Sequence, residues 1–218
     1  KVLSEHYPKI SNMQFMDVST IPIAGAECWI SRSGYTGEDG FEISIPNKAA
    51  ENVANTLLKH ELVELVGLGA RDSLRLEAGL CLYGQDIDIK TSPIAAGLKW
   101  AMQKSRLIGG QQEGNFPGAN KILSEIENGT EYKLVGLIPI GKAPIRSNTQ
   151  LFCKSLVSQK VGWVTSGIFS PVKKCPIAMG YLKSEFSTKG TMIHAEVRGK
   201  MLEVEVTSVP FVKKSFKK

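Results

Sequence analysis

The chain has 218 residues, 42% of them hydrophobic, and a net charge of +6. That is enough apolar material for one large core or two modest ones, with no apolar run near the length needed to span a bilayer and no signal peptide at its start. Four scattered cysteines (Cys28, Cys81, Cys153, Cys175) form no C-x-x-C pair, which argues against zinc and thioredoxin-like sites and for a reducing compartment.

In chain order, an extended lead-in containing Pro8 and Pro22 precedes Ala26 to Ser31, which reads as a strand. Next comes Ser33-Gly34-Tyr35-Thr36-Gly37-Glu38-Asp39-Gly40-Phe41-Glu42-Ile43, with glycines at every third position around one ring and several carboxylates. Glycine is favoured where the backbone needs positive φ or a close approach. The spacing is not the dinucleotide-binding pattern, because a strand follows it rather than a helix. Phe41 to Ile45 alternates, setting Glu42 and Ser44 on one face and Phe41, Ile43 and Ile45 on the other. Glu42 is thus an acid on a rigid strand beside a glycine corner. A tight hairpin with solvated acids is the competing reading.

Pro46 and Asn47 introduce a helix carrying Ala50, Val53, Ala54, Leu57 and Leu58, with Asn47 as N-cap and His60 at its end as a capping or surface residue. A second helix is predicted over residues 69–78, with Leu74 and Ala78 on its stripe and Gly79 ending it. Residues 92–102 read as a strand or short helix, and the glycine-rich interval 109–118 as loop. A brief helix at Ala119 to Ile126 follows. From Glu131 onward, short alternating runs predict a small antiparallel barrel or Greek key. They are Lys133–Ile140, Lys160–Val164, Ile177–Leu182, Met192–Val197 and Leu202–Val206. Basic residues cluster at Lys173 and Lys174 and at Lys213, Lys214, Lys217 and Lys218. They suit an acidic partner or ligand, or a solvated tail, and no nucleic-acid module accompanies them. Asn128-Gly129-Thr130 reads as a turn rather than a glycan site.

Three long motifs occur together: the glycine corner, Gly67-Leu-Gly-Ala-Arg71-Asp-Ser-Leu-Arg-Leu-Glu-Ala-Gly-Leu-Cys-Leu-Tyr-Gly-Gln-Asp-Ile-Asp-Ile89, and Ser92-Pro-Ile-Ala-Ala-Gly-Leu-Lys-Trp100. With Thr165-Ser166-Gly167, Ala178-Met179-Gly180-Tyr181 and Pro210-Phe211-Val212, the sequence closely resembles the aminomethyltransferase (T-protein) family of the glycine cleavage system. The resemblance implies an α+β fold: residues 1–120 as the C-terminal part of the folate-binding domain, and residues 121–218 as a C-terminal antiparallel β-barrel. It also implies that the chain begins well inside the family's length and is a C-terminal fragment.

The family moves a methylene carbon from the aminomethyl-dihydrolipoyl arm of H-protein to tetrahydrofolate, with release of ammonia. The implied partners are therefore the lipoyl-bearing H-protein and tetrahydrofolate, the latter as a substrate, with no metal, nucleic acid or membrane. The implied compartment is the mitochondrial matrix or a bacterial cytoplasm.

Carried over residue by residue, Glu42 falls on a folate-contacting glutamate and Arg71 on an arginine of the same site. A carboxylate accepts two adjacent N–H bonds and a guanidinium binds a carboxylate bidentately, which lysine cannot do. An intrahelical pair of Arg71 with Asp72 or Glu77 competes, although neither stands three or four residues away. Tyr35 and Trp100 offer π-faces, with a core role the alternative for Trp100. Arg146 matches a barrel arginine, for which an inter-domain salt bridge is the first expectation. Phe216 stands where the family usually has tyrosine, keeping the ring without its hydroxyl. The family's catalytic aspartate lies upstream of this chain, so no catalytic residue is assigned, and none of Asp17, Asp39, Asp72, Asp86 or Asp88 occupies its motif. No metal ligand set arises from His6, His60 and His194.

Two other functions remain open. One is a non-catalytic folate-binding module like that of flavin-dependent dimethylglycine and sarcosine oxidising enzymes, which tend to lack the full pair of motifs. The other is a folate-dependent accessory protein of iron–sulfur assembly or RNA modification, whose Lys-Gly-Cys-Tyr/Phe-x-Gly-Gln-Glu signature is missing here.

Overall fold

A computed structural model describes residues 2–156 and 158–216. Lys217 and Lys218, half of the C-terminal basic cluster, lie outside the described residues. The chain forms two compact units, residues 2–75 with 213–216, and residues 76–212.

In the first unit, the helix α1 (Val2–His6) and a helical turn at Pro8–Asn12 lead into a three-stranded antiparallel sheet, β1 (Val18–Ile23), β2 (Ala26–Ser31) and β3 (Glu42–Ser44), in that order. The strand read at Ala26 to Ser31 does pair with the one after the glycine corner, with Ser31 opposite Glu42 and Trp29 opposite Ser44. The lead-in expected to be extended is so at Pro22, within β1, whereas Pro8 opens a helical turn after α1. Pro22 is tolerated there because β1 is an edge strand and needs no second ladder partner. One sheet face is buried: Ile21, Ile23, Cys28 and Ile30 pack with Ile10, Met13 and Val53, joined by Phe41, Ile43 and Ile45. The alternation read from residue 41 to residue 45 is therefore correct. Val53 and Leu57 come from α2 (Ala50–Leu58), whose helical spacing covers this face. Asn47 is not its N-cap. A helical turn at Asn47–Ala49 precedes α2, and Ala49 occupies the cap position with no side-chain hydrogen bond. His60 closes the segment, its Nδ1 accepting from the Leu62 amide at 3.1 Å and its Nε2 lying 3.4 Å from Glu5.

The helix α3 (Leu68–Glu77) runs from the first unit into the second. Its Arg75 is 1% exposed and pairs with Asp72 at 2.7 Å, so Asp72 takes the helix neighbour three residues on and not Arg71. Gly79 ends the helix at φ +64. Residues 92–102 contain a helical turn at Lys99–Ala101 and no strand among the described residues. α4 (Ala119–Asn128) follows.

The second unit is built on a closed six-stranded antiparallel barrel. Its strands are β4 (Tyr132–Pro139), β5 (Gln150–Cys153), β6 (Lys160–Ser170), β7 (Cys175–Lys183), β8 (Met192–Val197) and β9 (Lys200–Thr207), in the order β4-β7-β6-β5-β8-β9. β4 closes the ring by pairing with both β7 and β9. Leu137, Leu151, Val161, Val164, Leu182, Ile193, Val204 and Val206 fill its interior. The mixed α/β unit and barrel expected from sequence are both present. The strand β5 went unread because it spans four residues and its partner β6 shifts register beside it. Two buried acids tie the end of α3 and the loop after it to the barrel. Glu77 accepts from Ser170 Oγ and, at 3.1 Å, from the Val172 amide, and Asp86 accepts from Thr165 Oγ1. Among the described residues no helix is long and apolar enough to cross a membrane.

Candidate functional site

The residues assigned by sequence to the first unit gather around the glycine corner. Of its three glycines, Gly37 alone has a left-handed backbone, at φ +78. A Cβ at Gly34 or Gly40 would meet nothing within 4 Å. The corner is held in shape by Arg32, an arginine that sequence reasoning passed over. Its side chain is 9% exposed, and it grips Asp39 with Nε to Oδ1 at 2.9 Å and Nη2 to Oδ2 at 2.6 Å. Nη1 also donates to the Met13 carbonyl at 3.0 Å, and Cζ lies 5.0 Å from the Phe41 ring centre. The bidentate pair draws the two ends of the corner together and raises the guanidinium's affinity for its proton through the Asp39 hydrogen bond. The second brace is the segment before Phe216, where the Ser215 amide donates to the Gly37 carbonyl at 2.9 Å and Ser215 Oγ donates to Glu38.

On this frame, Tyr35 and Arg71 come together. The Arg71 guanidinium, carried by α3, stands 4.7 Å from the centre of the Tyr35 ring. The cation over the ring is attracted to its negative face, which helps hold the guanidinium in place. Among the described residues the fork makes no ion pair, which leaves its N–H edge for an anion. Glu42 projects from β3 onto the exposed sheet face, as alternation predicts, and accepts from Ser33 Oγ at 2.8 Å. Ser33 Oγ is in turn 2.8 Å from Ser31 Oγ. Neither serine was singled out from sequence, although Ser31 and Ser33 share the period-two spacing of a strand face and could have been found that way. The Phe216 ring stacks on Phe15, centres 4.3 Å apart and planes at 15°. A ring without a hydroxyl can do this fully, and the stack anchors the end of the segment that braces the corner.

Trp100 and Arg146 belong to the second unit and lie on separate elements of it. Trp100 sits in the Lys99–Ala101 turn and is 77% exposed, so it is not a core residue of this unit. Arg146, exposed in the β4–β5 connection, reaches the Gly167 carbonyl at 3.5 Å. Among the described residues no group of three or more His, Cys, Asp or Glu side chains is placed to hold a metal ion. Chemically, the first unit offers a fixed carboxylate, a planar cation and two rings. That set can bind a flat heterocycle by its N–H edge together with a carboxylate-bearing tail.

Two sequence families match. Residues 1–106 fit the GCVT N-terminal domain and residues 133–213 the glycine cleavage T-protein C-terminal barrel domain. A mitochondrial aminomethyltransferase from Flaveria trinervia is 46% identical over 205 residues, covering 93% of this chain and 49% of the relative. One from Dictyostelium discoideum is 43% identical over 216 residues, covering 96% of this chain and 52% of the relative. The crystal structure of the glycine cleavage system aminomethyltransferase T from Bartonella henselae superposes with a TM-score of 0.90 at 41% identity, over 100% of this chain and 58% of that one. The chain thus spans about half the length of the curated relatives it matches.

Proposed function

Because the chain belongs to the aminomethyltransferase family of the glycine cleavage T-protein, we propose that it is the portion of such an enzyme that binds tetrahydrofolate beside the glycine corner. In this reading Glu42 accepts the paired N–H donors of the pterin edge, Arg71 takes a glutamyl carboxylate, and Tyr35 lies against a ring of the folate. Trp100 and Arg146, in the second unit, keep their sequence-based assignment to substrate binding, and Phe216 helps brace the glycine corner without contributing a hydroxyl. The observation that carries the reading is the pairing of Arg71 with Tyr35 in the same unit as the Ser33-held Glu42. Each residue type has a separate task there, and the family resemblance supports Glu42 and Arg71 in theirs.

The reaction assigned to the whole enzyme is transfer of the methylene carbon from aminomethyl-dihydrolipoyl H-protein to tetrahydrofolate, with loss of ammonia. Holding two substrates at one centre supplies most of the rate, and no metal is needed for it. We assign residues 1–120 to the folate-binding domain and residues 121–218 to the barrel domain, and we place the enzyme in mitochondria, the compartment named for the relatives from Flaveria trinervia and Dictyostelium discoideum, with a bacterial cytoplasm as the alternative. The missing carboxylate beside the reacting nitrogens belongs to the part of the family outside this chain, so the chain alone is expected to be inactive. The assay is ammonia release from aminomethyl-loaded H-protein in the presence of tetrahydrofolate. Removing one acid–base group typically costs about 10² to 10⁴ in rate. Turnover by the 218-residue chain within tenfold of a full-length enzyme would overturn this assignment.

A further inference from the structure

Glu42 leaves β3 on the exposed side of the sheet, where a long acidic side chain ordinarily samples several rotamers and loses entropy when a ligand fixes it. Here a directed chain of hydroxyls holds it. Ser33 Oγ donates to Glu42 Oε2 at 2.8 Å, and the oxygens of Ser31 and Ser33 are also 2.8 Å apart. A hydroxyl has one proton to give. Since that of Ser33 is committed to Glu42, Ser31 must be the donor to Ser33, and the chain runs one way, from Ser31 through Ser33 to the carboxylate. Each bond polarises the next, so Ser33 is a better donor than an isolated serine. Ser31 lies directly opposite Glu42 in the β2–β3 register, so the chain starts on the partner strand of the residue it holds. Glu42 Oε1 accepts no hydrogen bond among the described residues.

We infer that Ser33, backed by Ser31, is a positioning residue for the binding carboxylate. It pins Oε2 and so turns Oε1 toward the N–H edge of the bound heterocycle. The inference rests on the folate reading above for the identity of that heterocycle, but the ordering of Glu42 does not depend on any ligand. Ser33 touches no reacting atom, so its effect belongs in affinity and in side-chain order.

The test uses the 218-residue chain with Ser33→Ala, Ser33→Thr and Ser31→Ala, each checked for native circular dichroism. The first measurement is the rotamer distribution of Glu42 from NMR three-bond couplings, without ligand. Ser33→Ala is expected to let the side chain average over several rotamers, Ser33→Thr to restore a single one, and Ser31→Ala to fall between. Equal order in Ser33→Ala and the unsubstituted chain overturns the inference. The second measurement is calorimetric titration with tetrahydrofolate. Losing a hydrogen bond to a charged group predicts roughly 5- to 20-fold weaker binding for Ser33→Ala, with the threonine variant within about twofold of the parent. Undiminished affinity in Ser33→Ala also overturns it. If the parent chain takes up no tetrahydrofolate while Ser33→Ala still frees Glu42, the positioning role is upheld and the folate reading is what fails.

Discussion

Replacing Arg32 by methionine measures how much of the first unit's stability passes through one buried guanidinium. Methionine keeps the apolar stem and fills much of the same space, so the losses are the polar contacts. The pair with Asp39 is bidentate, at 2.6 and 2.9 Å, yet the Asp39 side chain is 38% exposed and water can replace the lost donors. We therefore take its loss at about 1 kcal/mol, well below the figure for a fully buried pair. The Met13 carbonyl, on a residue 6% exposed, loses the donor 3.0 Å away, which costs about 1 kcal/mol more. The contact with Phe41 adds about 0.5 kcal/mol. The expected loss is thus about 2–3 kcal/mol. Urea unfolding followed by tryptophan fluorescence reads it, since Trp29 lies on β2 of the same unit. Asp39→Asn should cost less, because the Met13 bond survives in that variant. A loss under about 0.5 kcal/mol for Arg32→Met, the range of ordinary surface changes, would refute the idea that this group organises the corner.

Three more outcomes follow from particular contacts. Arg71→Lys retains the charge but can neither stack on Tyr35 nor bind a carboxylate through a fork. It should raise the tetrahydrofolate dissociation constant about tenfold, or about 1.4 kcal/mol, and an unchanged constant by calorimetry would remove Arg71 from the site. Gly79→Ala places a Cβ 2.6 Å from Val209 Cβ and 3.2 Å from Pro210 Cα, at a φ of +64 that side chains disfavour. A loss of about 2–4 kcal/mol is expected in thermal melts, and a variant as stable as the parent would contradict the close approach. Glu203 is held below the ordinary carboxylate range first by its hydrogen bond from Lys154, at 2.5 Å, and then by that residue's charge. A depressed carboxylate stabilises the fold fully above its unfolded value of about 4.3 and loses that contribution as pH falls through the lowered folded value. The melting temperature should therefore fall more steeply below about pH 4 in the parent than in Glu203→Gln, and parallel curves would exclude the pair as a contributor.

Legibility in the sequence followed periodicity and length. Alternation from Phe41 to Ile45 fixed both the strand and the face on which Glu42 stands, because one side of that sheet is buried and a one-residue slip would reverse it. Met192–Val197 was read to the residue, its turn neighbours punctuating it clearly. Lys160–Val164 was too short by six residues, since Thr165-Ser166-Gly167 looks like a loop and its hydroxyls bond to groups distant in sequence, Thr165 to Asp86 and Met179 and Ser166 to Gln85. Long-range bonds of that kind leave no local trace. Arg32 was invisible for the same reason. Nothing in its neighbours announces that a cation on β2's end will close on Asp39 and the Met13 carbonyl. Family likeness supplied Glu42 and Arg71, whereas period-two spacing alone offered Ser31 and Ser33, and their hold on Glu42 shows only when the strands are paired.

The first unit is discontinuous along the chain: residues 76–212 intervene between its main body and the segment 213–216 that returns to it. A ribosome working from the N-terminus therefore releases every strand of the barrel before Ser215, whose amide closes on Gly37. At roughly 5–20 residues per second, the glycine corner waits on the order of ten seconds for that bond. The barrel, by contrast, is complete as soon as β9 emerges and pairs with β4. In the order of synthesis, the barrel can finish first and the candidate binding corner last, so a nascent chain stopped a few residues early would carry a sound barrel and an unlatched corner.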